Sequence, residues 1–200
     1  MLVVAANRSF DSLLNEEGHD CYYSVDTNMI IFYVNGKLPG WVDYVDHLSA
    51  KGKRFFVTNA IYEEYNKGLG RQITEYSLPS PFHRLDDEDA SYKASIAYPA
   101  LMKEFNISPD NTHFAIDARW ILESGYCIAA SLDIPEAAVV ERGKVFAITC
   151  NAKLIQRLFN SLTKRRTFEN IVNQHGLEHL VNMRSVSVKD GTFLDKYSYE

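Results

Sequence analysis

Short runs of β-branched and aromatic residues alternate with amphipathic segments along this chain. Strand patterns lie at 21–25, 53–58 and 145–149, and each is followed at once by apolar residues with helical spacing. A final strand is predicted at 183–188. Strands that alternate with helices are typical of a parallel sheet with helices on its faces, so the pattern predicts the α/β class.

Capping residues and breakers predict where the helices begin and end. Thr27 or Asn28 is expected to cap the helix after the first strand, and Asn59 the helix after the second. The segment 69–84 contains Gly70, Pro79 and Pro81 and is predicted to be an irregular connection. Five further helices are predicted, at 41–52, 85–105, 108–125, 151–166 and 167–181.

The domain organisation follows from these elements. Residues 1–20, in which Phe10, Leu13 and Leu14 have helical spacing, are predicted to be an N-terminal extension. Residues 21–190 form the predicted domain, and residues 191–200 a C-terminal tail. The segment 126–143 has no clear pattern, since Pro135 interrupts its apolar content.

Composition and charge limit the function classes. The chain has 200 residues, 46% of them apolar, and a net charge of −5. The electrostatic field of the whole molecule therefore does not favour nucleic-acid binding, although a local basic rim could still hold phosphates. The three cysteines form no metal-binding or redox motif and are expected to be free thiols in a reducing, cytoplasmic setting. No segment has the pattern of a signal peptide or a transmembrane helix.

Oxygen-bearing side chains follow the predicted strands or lie on the helices between them. Asp26 follows the first strand, Glu64 lies in the helix after the second, and Asp117 lies in the helix from 108 to 125. Asn151 comes just after the strand at 145–149. Carboxyl ends of parallel strands share one edge of a sheet, where crowded carboxylates would repel one another unless a hard cation such as Mg²⁺ or Mn²⁺ joined them.

Each of these residues also has a simpler interpretation. Asp26 and Asn151 could each only cap the helix that follows, and Glu63 and Glu64 could both be solvated helix residues. Thr149 could support the site or only fill a strand position. Basic residues that could line an RNA path, or be scattered surface charges, are Lys67, Arg119, Lys153 and Arg157.

Four motifs in order resemble those of the PIN-domain ribonucleases. They are Ser24-Val25-Asp26-Thr27-Asn28-Met29-Ile30-Ile31, the segment 57–68, Ile116-Asp117-Ala118-Arg119-Trp120-Ile121-Leu122, and the strand end Phe146-Ala147-Ile148-Thr149-Cys150-Asn151. In the second motif the register of the family selects Glu64 over Glu63 as the acid. Together the motifs span roughly residues 21–160, and four in order are more specific than any one alone.

The resemblance implies a fold, an activity and a set of site residues. The fold would be a three-layer α/β/α sandwich with a central, mostly parallel sheet. The activity would be Mg²⁺- or Mn²⁺-dependent cleavage of single-stranded RNA, leaving a 3′-hydroxyl and a 5′-phosphate. The catalytic and metal-binding residues would be Asp26, Glu64, Asp117 and Asn151, with Asn28 and Thr149 in support. Many family members are dimeric toxins paired with an antitoxin protein, so both partners are expectations here.

Two other functions remain open from the sequence. Asn151 stands where a carboxylate would bind metal more strongly, which favours a catalytically weakened PIN-like domain that binds RNA or a protein partner. A phosphatase-like domain with Asp26 as nucleophile is less favoured, because position 28 carries Asn rather than a second Asp.

Overall fold

The computed structural model of the protein describes residues 7–9, 21–68, 77–108, 110–131, 145–177, 182–189 and 192–194. Within them, the strands are β1 (Asn7–Ser9), β2 (Tyr22–Val25), β3 (Phe55–Val57), β4 (Phe82–Arg84), β5 (Val145–Thr149), β6 (Asn182–Ser187) and β7 (Thr192–Leu194). The helices are α1 (Thr27–Val34), α2 (Pro39–Ala50), α3 (Asn59–Gly68), α4 (Glu88–Glu104), α5 (Thr112–Ser131), α6 (Ala152–Phe159) and α7 (Leu162–Gln174).

The strands form one mostly parallel sheet in the order β1-β7-β6-β5-β2-β3-β4. The central strand β2 pairs in parallel with β3 on one side and with β5 on the other. β4 and β6 extend this parallel core, and β7 runs antiparallel to both β6 and β1. The predicted α/β/α sandwich with a mostly parallel sheet is therefore confirmed.

Two adjacent residues of β2 show why the sheet needs a helical layer on each face. Tyr23 packs its ring against Tyr44 of α2, with centroids 6.4 Å apart. Its neighbour Ser24 accepts a hydrogen bond from the Trp120 indole of α5 at 2.8 Å. Successive side chains on a strand point to opposite faces, so α2 and α5 cover opposite faces of the sheet. Tyr23, Tyr44 and Trp120 are each fully buried, as expected of a strand at the centre of three layers.

The chain changes direction across the sheet at β2. From β2 it proceeds outward to β3 and β4, and it then returns to place β5 on the opposite side of β2. The crevice at the carboxyl ends of β2 and β5 is therefore a topological switch point, the position at which open α/β sheets bind their ligands. Asp26 follows β2 at this crevice, and Asn151 lies two residues beyond the end of β5.

The edges of the sheet differ from the predictions. Strand β4 lies inside the segment 69–84 that was predicted to be irregular, because three residues pairing with β3 are too short to show a pattern. Strand β1 lies inside the predicted N-terminal extension and β7 inside the predicted tail, and these two strands pair with each other. The domain boundaries at 20 and 190 stay a prediction, but both outer segments contribute a strand to the sheet.

Several helix boundaries also differ. Helix α5 begins at Thr112 rather than near Ser108, because the Asn111 side chain accepts the Phe114 amide at 3.2 Å. The predicted break between helices at 166 and 167 lies instead at Ser161, which caps α7 by accepting the Lys164 amide. The helix predicted at 167–181 ends instead at Gln174, where His175 is the C-cap and Gly176 has a positive φ. The helical spacing at 10–14 and most of the ambiguous segment 126–143 lie outside the described residues.

Two compositional expectations can be compared with the structure. Neither Cys21 nor Cys150 is part of a disulfide, and both are partly buried. Within the part of the chain that the structure describes, no helix combines the length and the apolar character needed to cross a bilayer.

Candidate metal centre

Asp26 is held at the end of β2 by two neighbouring elements, helix α1 and strand β5. It is only 3% exposed and is the N-cap of α1, where its Oδ1 accepts the Met29 amide at 2.9 Å. Its Oδ2 accepts a hydrogen bond from the Thr149 hydroxyl at the end of β5. The cap of α1 is thus Asp26 itself and not Thr27 or Asn28. The simpler interpretation of Asp26 as a cap is confirmed, and Thr149 is shown to contact it.

Glu64 reaches the same place from helix α3. Its Oε2 accepts a hydrogen bond from the hydroxyl of Thr27, the residue next to Asp26. Its Oε1 lies 4.0 Å from Nδ1 of His113, whose side chain is 91% exposed and marks the rim of the site. Glu63, by contrast, is exposed to solvent. The structure therefore turns Glu64, the acid selected by the register of the second motif, toward Asp26.

Asp117 and Asn151 join Asp26 through a chain of hydrogen bonds. The Asn151 side-chain Nδ2 donates to Oδ2 of Asp117 at 2.7 Å. The Asn151 backbone amide donates to the Thr149 hydroxyl at 2.8 Å, and that hydroxyl in turn donates to Asp26. Asp117 is thus connected to Asp26 through two polar residues of the β5–α6 junction. All four predicted site residues lie at the switch point.

The three carboxylates affect one another electrostatically. Burial raises the pKa of Asp26 to about 6, and the negative charge of Glu64 adds to this rise. The hydrogen bonds from Thr149 and from the Met29 amide act in the other direction and lower the pKa. Burial likewise raises the pKa of Asp117 to about 7, and the charges of Asp26 and Glu64 add to it while the Asn151 hydrogen bond lowers it. The carboxylates therefore form one group whose negative charges are only partly compensated.

The donor chemistry of this group fits a hard divalent cation. Carboxylate and amide oxygens are the ligands that Mg²⁺ and Mn²⁺ prefer, and a cation would favour the charged forms that burial disfavours. Among the residues that the structure describes, no three His, Cys, Asp or Glu side chains stand close enough together to form a ready-made metal site. Asp26, Glu64 and Asp117 would have to draw closer to share one ion.

Three of the basic residues predicted to bind RNA have exposed side chains, and one of these three packs on an aromatic ring. Arg157 lies over the ring of Phe114, 5.6 Å from its centroid, at the first turn of the helix that carries Asp117. Lys67 and Lys153 are exposed, as is the predicted supporting residue Asn28. The backbone N–H of Asn28, rather than its side chain, acts on Asp26 by lowering its pKa.

Arg119, the fourth basic residue predicted to bind RNA, is paired with a buried carboxylate instead. Its Nη2 lies 3.4 Å from Oε1 of Glu123, one turn further along α5, and its side chain is only 29% exposed. The geometry does not support Arg119 as a contact for RNA, because its guanidinium is engaged with a fully buried carboxylate.

Glu123 is a residue of this region that the sequence motifs do not include. It is fully buried, and its Oε2 accepts the backbone amide of Ala60 at the start of α3 at 3.2 Å. An Arg and a Glu four residues apart on a helix, with apolar residues between them, indicate a side-chain pair. No sequence pattern, however, indicates the contact with Ala60, which lies 63 residues away.

Comparisons with known proteins add no family to this geometry. No family model matches the chain, and neither a curated protein nor a solved structure matches it. The resemblance to PIN-domain ribonucleases therefore rests on the four motifs and on the positions of their residues alone.

Proposed function

We propose that this protein is an Mg²⁺- or Mn²⁺-dependent endoribonuclease that cleaves single-stranded RNA. The observation that supports it most is the convergence of Asp26, Glu64 and Asp117 at the switch point of the sheet, together with Asn151. A cap for α1 explains Asp26 alone. It does not explain why two further carboxylates from α3 and α5 turn toward the same crevice.

Hydrogen bonds from neighbouring residues hold at least one oxygen of each acid. Thr149 and the Met29 amide each hold one oxygen of Asp26, and Thr27 holds one oxygen of Glu64. Asp117 has one oxygen bonded to Asn151. The chemistry that a cation bound by these groups would supply is neutralisation of charge on a phosphodiester and activation of a water molecule. The chain's own carboxylates then serve to hold and orient the reacting groups.

The phosphates of an RNA strand would be held at the rim of the site. Arg157, fixed over Phe114, and the exposed Lys153 lie on α6, which begins directly after Asn151. Lys67 lies on α3, one turn beyond Glu64. Basic side chains of this kind hold phosphates without reading sequence. An antitoxin partner and a homodimer remain predictions that follow from the family resemblance alone.

The decisive experiment combines metal binding with cleavage. Wild-type protein is titrated with Mn²⁺ and with Mg²⁺ by calorimetry, and a labelled single-stranded RNA is incubated with each ion and with EDTA. Binding of either ion and cleavage that EDTA stops are the expected results. Asp117→Ala should lose both. Cleavage that continues in EDTA, or metal binding equal in Asp117→Ala, would contradict the proposal.

One observation favours a second function, that of an RNA- or protein-binding module. Asn151 donates a hydrogen bond to Asp117 and so partly compensates its charge without a cation. In such a module RNA would bind equally well in EDTA and in Mn²⁺, and no cleavage would follow. A filter-binding assay under the two conditions distinguishes this function from the nuclease.

A further inference from the structure

The start of helix α3 is capped by a side chain from another helix. Its first residue, Asn59, has an amide side chain that caps helices well in general. Here that side chain bonds to other residues instead: Nδ2 donates to Asp86 and Ser91, and Oδ1 accepts from Arg84. The next residue, Ala60, is only 2% exposed, so its backbone N–H would be left without a partner inside the protein.

Glu123 of α5 supplies that partner. Its Oε2 accepts the Ala60 amide at 3.2 Å, and its Oε1 accepts from Nη2 of Arg119 at 3.4 Å. The carboxylate therefore lies between the positive end of the α3 dipole and a guanidinium, both of which favour its charged form. Burial raises the pKa of Glu123, and the Ala60 amide and Arg119 act against this rise.

The position of this contact relates it to the candidate metal centre. On α3, Ala60 precedes Glu64 by one helical turn, so both lie on the same face of the helix. On α5, Glu123 follows Asp117 and is set by Arg119. The hydrogen bond from Ala60 to Glu123 therefore joins the turn that carries Glu64 to the helix that carries Asp117.

We propose that Glu123, held by Arg119, is a positioning residue that fixes the turn of α3 carrying Glu64 against α5, so that Glu64 and Asp117 can close on one metal ion. This inference rests on the proposed function, since it gives Glu123 its role through the metal-binding acids. Glu123 itself is fully buried, and its two oxygens bond to the Ala60 amide and to Arg119. Groups that orient metal ligands in this indirect way typically change metal affinity or activity by about 10- to 100-fold when they are replaced.

The test uses Glu123→Gln, which keeps the volume and one carbonyl oxygen but removes the ion pair with Arg119. A matched control exists on α7, where Arg165 and Glu169 are also four residues apart and 3.3 Å from each other. Calorimetry measures the Mn²⁺ affinity of wild type, Glu123→Gln and Glu169→Gln. Steady-state cleavage measures kcat and KM for RNA, and NMR measures amide exchange at Ala60 and Glu64.

The expected result is specific to Glu123→Gln. Its Mn²⁺ affinity and kcat fall by about tenfold or more, KM for RNA stays unchanged, and the amides of Ala60 and Glu64 exchange faster. Glu169→Gln should match wild type in all these measurements. A purely structural role would lower the melting temperature of Glu123→Gln but leave Mn²⁺ affinity and kcat per folded molecule unchanged, and that result overturns the inference.

Two further outcomes keep the inference separate from the proposed function. Wild-type protein that binds neither Mn²⁺ nor Mg²⁺ overturns the proposed function, and amide exchange then decides by itself whether Glu123 holds α3. Exchange that is the same in Glu123→Gln and wild type overturns the positioning. If Glu123→Gln does not fold, Arg119→Gln takes its place, and Mn²⁺ affinity equal to wild type in that variant overturns the proposal.

Discussion

The junctions that follow β2 and β3 each lead into a helix whose start is capped, but the capping side chains come from different places. Each strand ends on the same edge of the sheet and leads into a helix whose first N–H groups need acceptors. After β2, Asp26 accepts the amide of Met29, three residues further on. After β3, the Ala60 amide is accepted by Glu123 from a distant helix. One junction is built locally, whereas the other depends on the packing of α5 against α3.

The comparison matters because each junction carries an acid of the candidate metal centre. At the local junction the cap and the candidate ligand are the same residue, Asp26. At the distant junction the two roles are divided between Glu123 and Glu64. Variants can therefore separate capping from metal binding at each junction, and the effects of the following changes should decrease in the order given.

The largest effect is expected for Asp26→Asn. Asparagine caps helices as well as aspartate, so below about pH 6, where the Asp26 carboxyl is neutral, the free energy of unfolding should change by less than about 1 kcal/mol. Loss of a carboxylate ligand should lower kcat/KM for RNA by about 1,000-fold or more. Circular dichroism melts and a cleavage assay measure the two quantities. Asp43→Asn, on an exposed position of α2, is the control. Full activity in Asp26→Asn would leave Asp26 as a cap and nothing more.

The next largest effect is expected for the stability of Glu123→Ala. This change leaves the buried Ala60 N–H and the partly buried Arg119 without their partner, which should cost about 2 to 4 kcal/mol. Asp26→Ala removes the local cap and the Thr149 hydrogen bond, but it also removes a carboxylate whose charge burial disfavours, so the net cost should be smaller, about 1 kcal/mol. Urea denaturation of both variants makes the comparison. Equal losses would show that the distant cap is no more important to folding than the local one.

A smaller effect concerns pH. The pKa values of Asp26 and Asp117 in the folded protein, about 6 and about 7, lie above the ordinary aspartate value of 3.8. Their contribution to stability is therefore fully present below about pH 4 and is lost as the pH rises through 6 and 7. In EDTA, the stability advantage of Asp117→Asn over wild type should grow by roughly 1–3 kcal/mol from pH 4 to pH 8.

Denaturant titrations at several pH values measure this difference. Saturating Mn²⁺ should reduce it or reverse it, because the ion binds the charged carboxylates of the wild type. A difference that does not depend on pH would show that the Asp117 carboxyl titrates as if it were exposed, and would remove the electrostatic reason for a cation.

The smallest effect is expected for Asn151→Asp. A fourth carboxylate should raise Mn²⁺ affinity by about tenfold. Without metal the same change replaces the donor that Asn151 offers to Asp117 with a like charge, so the variant should melt at a lower temperature in EDTA. Calorimetry and thermal melts measure both. A variant with unchanged Mn²⁺ affinity would favour the binding module over the nuclease.

Much of the fold was predictable because its signals are local. The strands β2, β3 and β5 are apolar runs, and the helix α2 has apolar residues at helical spacing. The motif at Asp117 likewise lies on the predicted central helix. What could not be predicted were short edge strands such as β4, since three residues contain too little pattern and form only because β3 offers a free edge.

The sequence by itself determined the class of the fold and the identity of the acids, because hydrophobic period and capping chemistry act over a few residues. Only the tertiary structure decided how those residues meet. It turned Glu64 toward Asp26, paired Arg119 with Glu123, and brought Glu123 to the Ala60 amide. Such contacts join residues tens of positions apart, and they arise only when the sheet and both helical layers are packed.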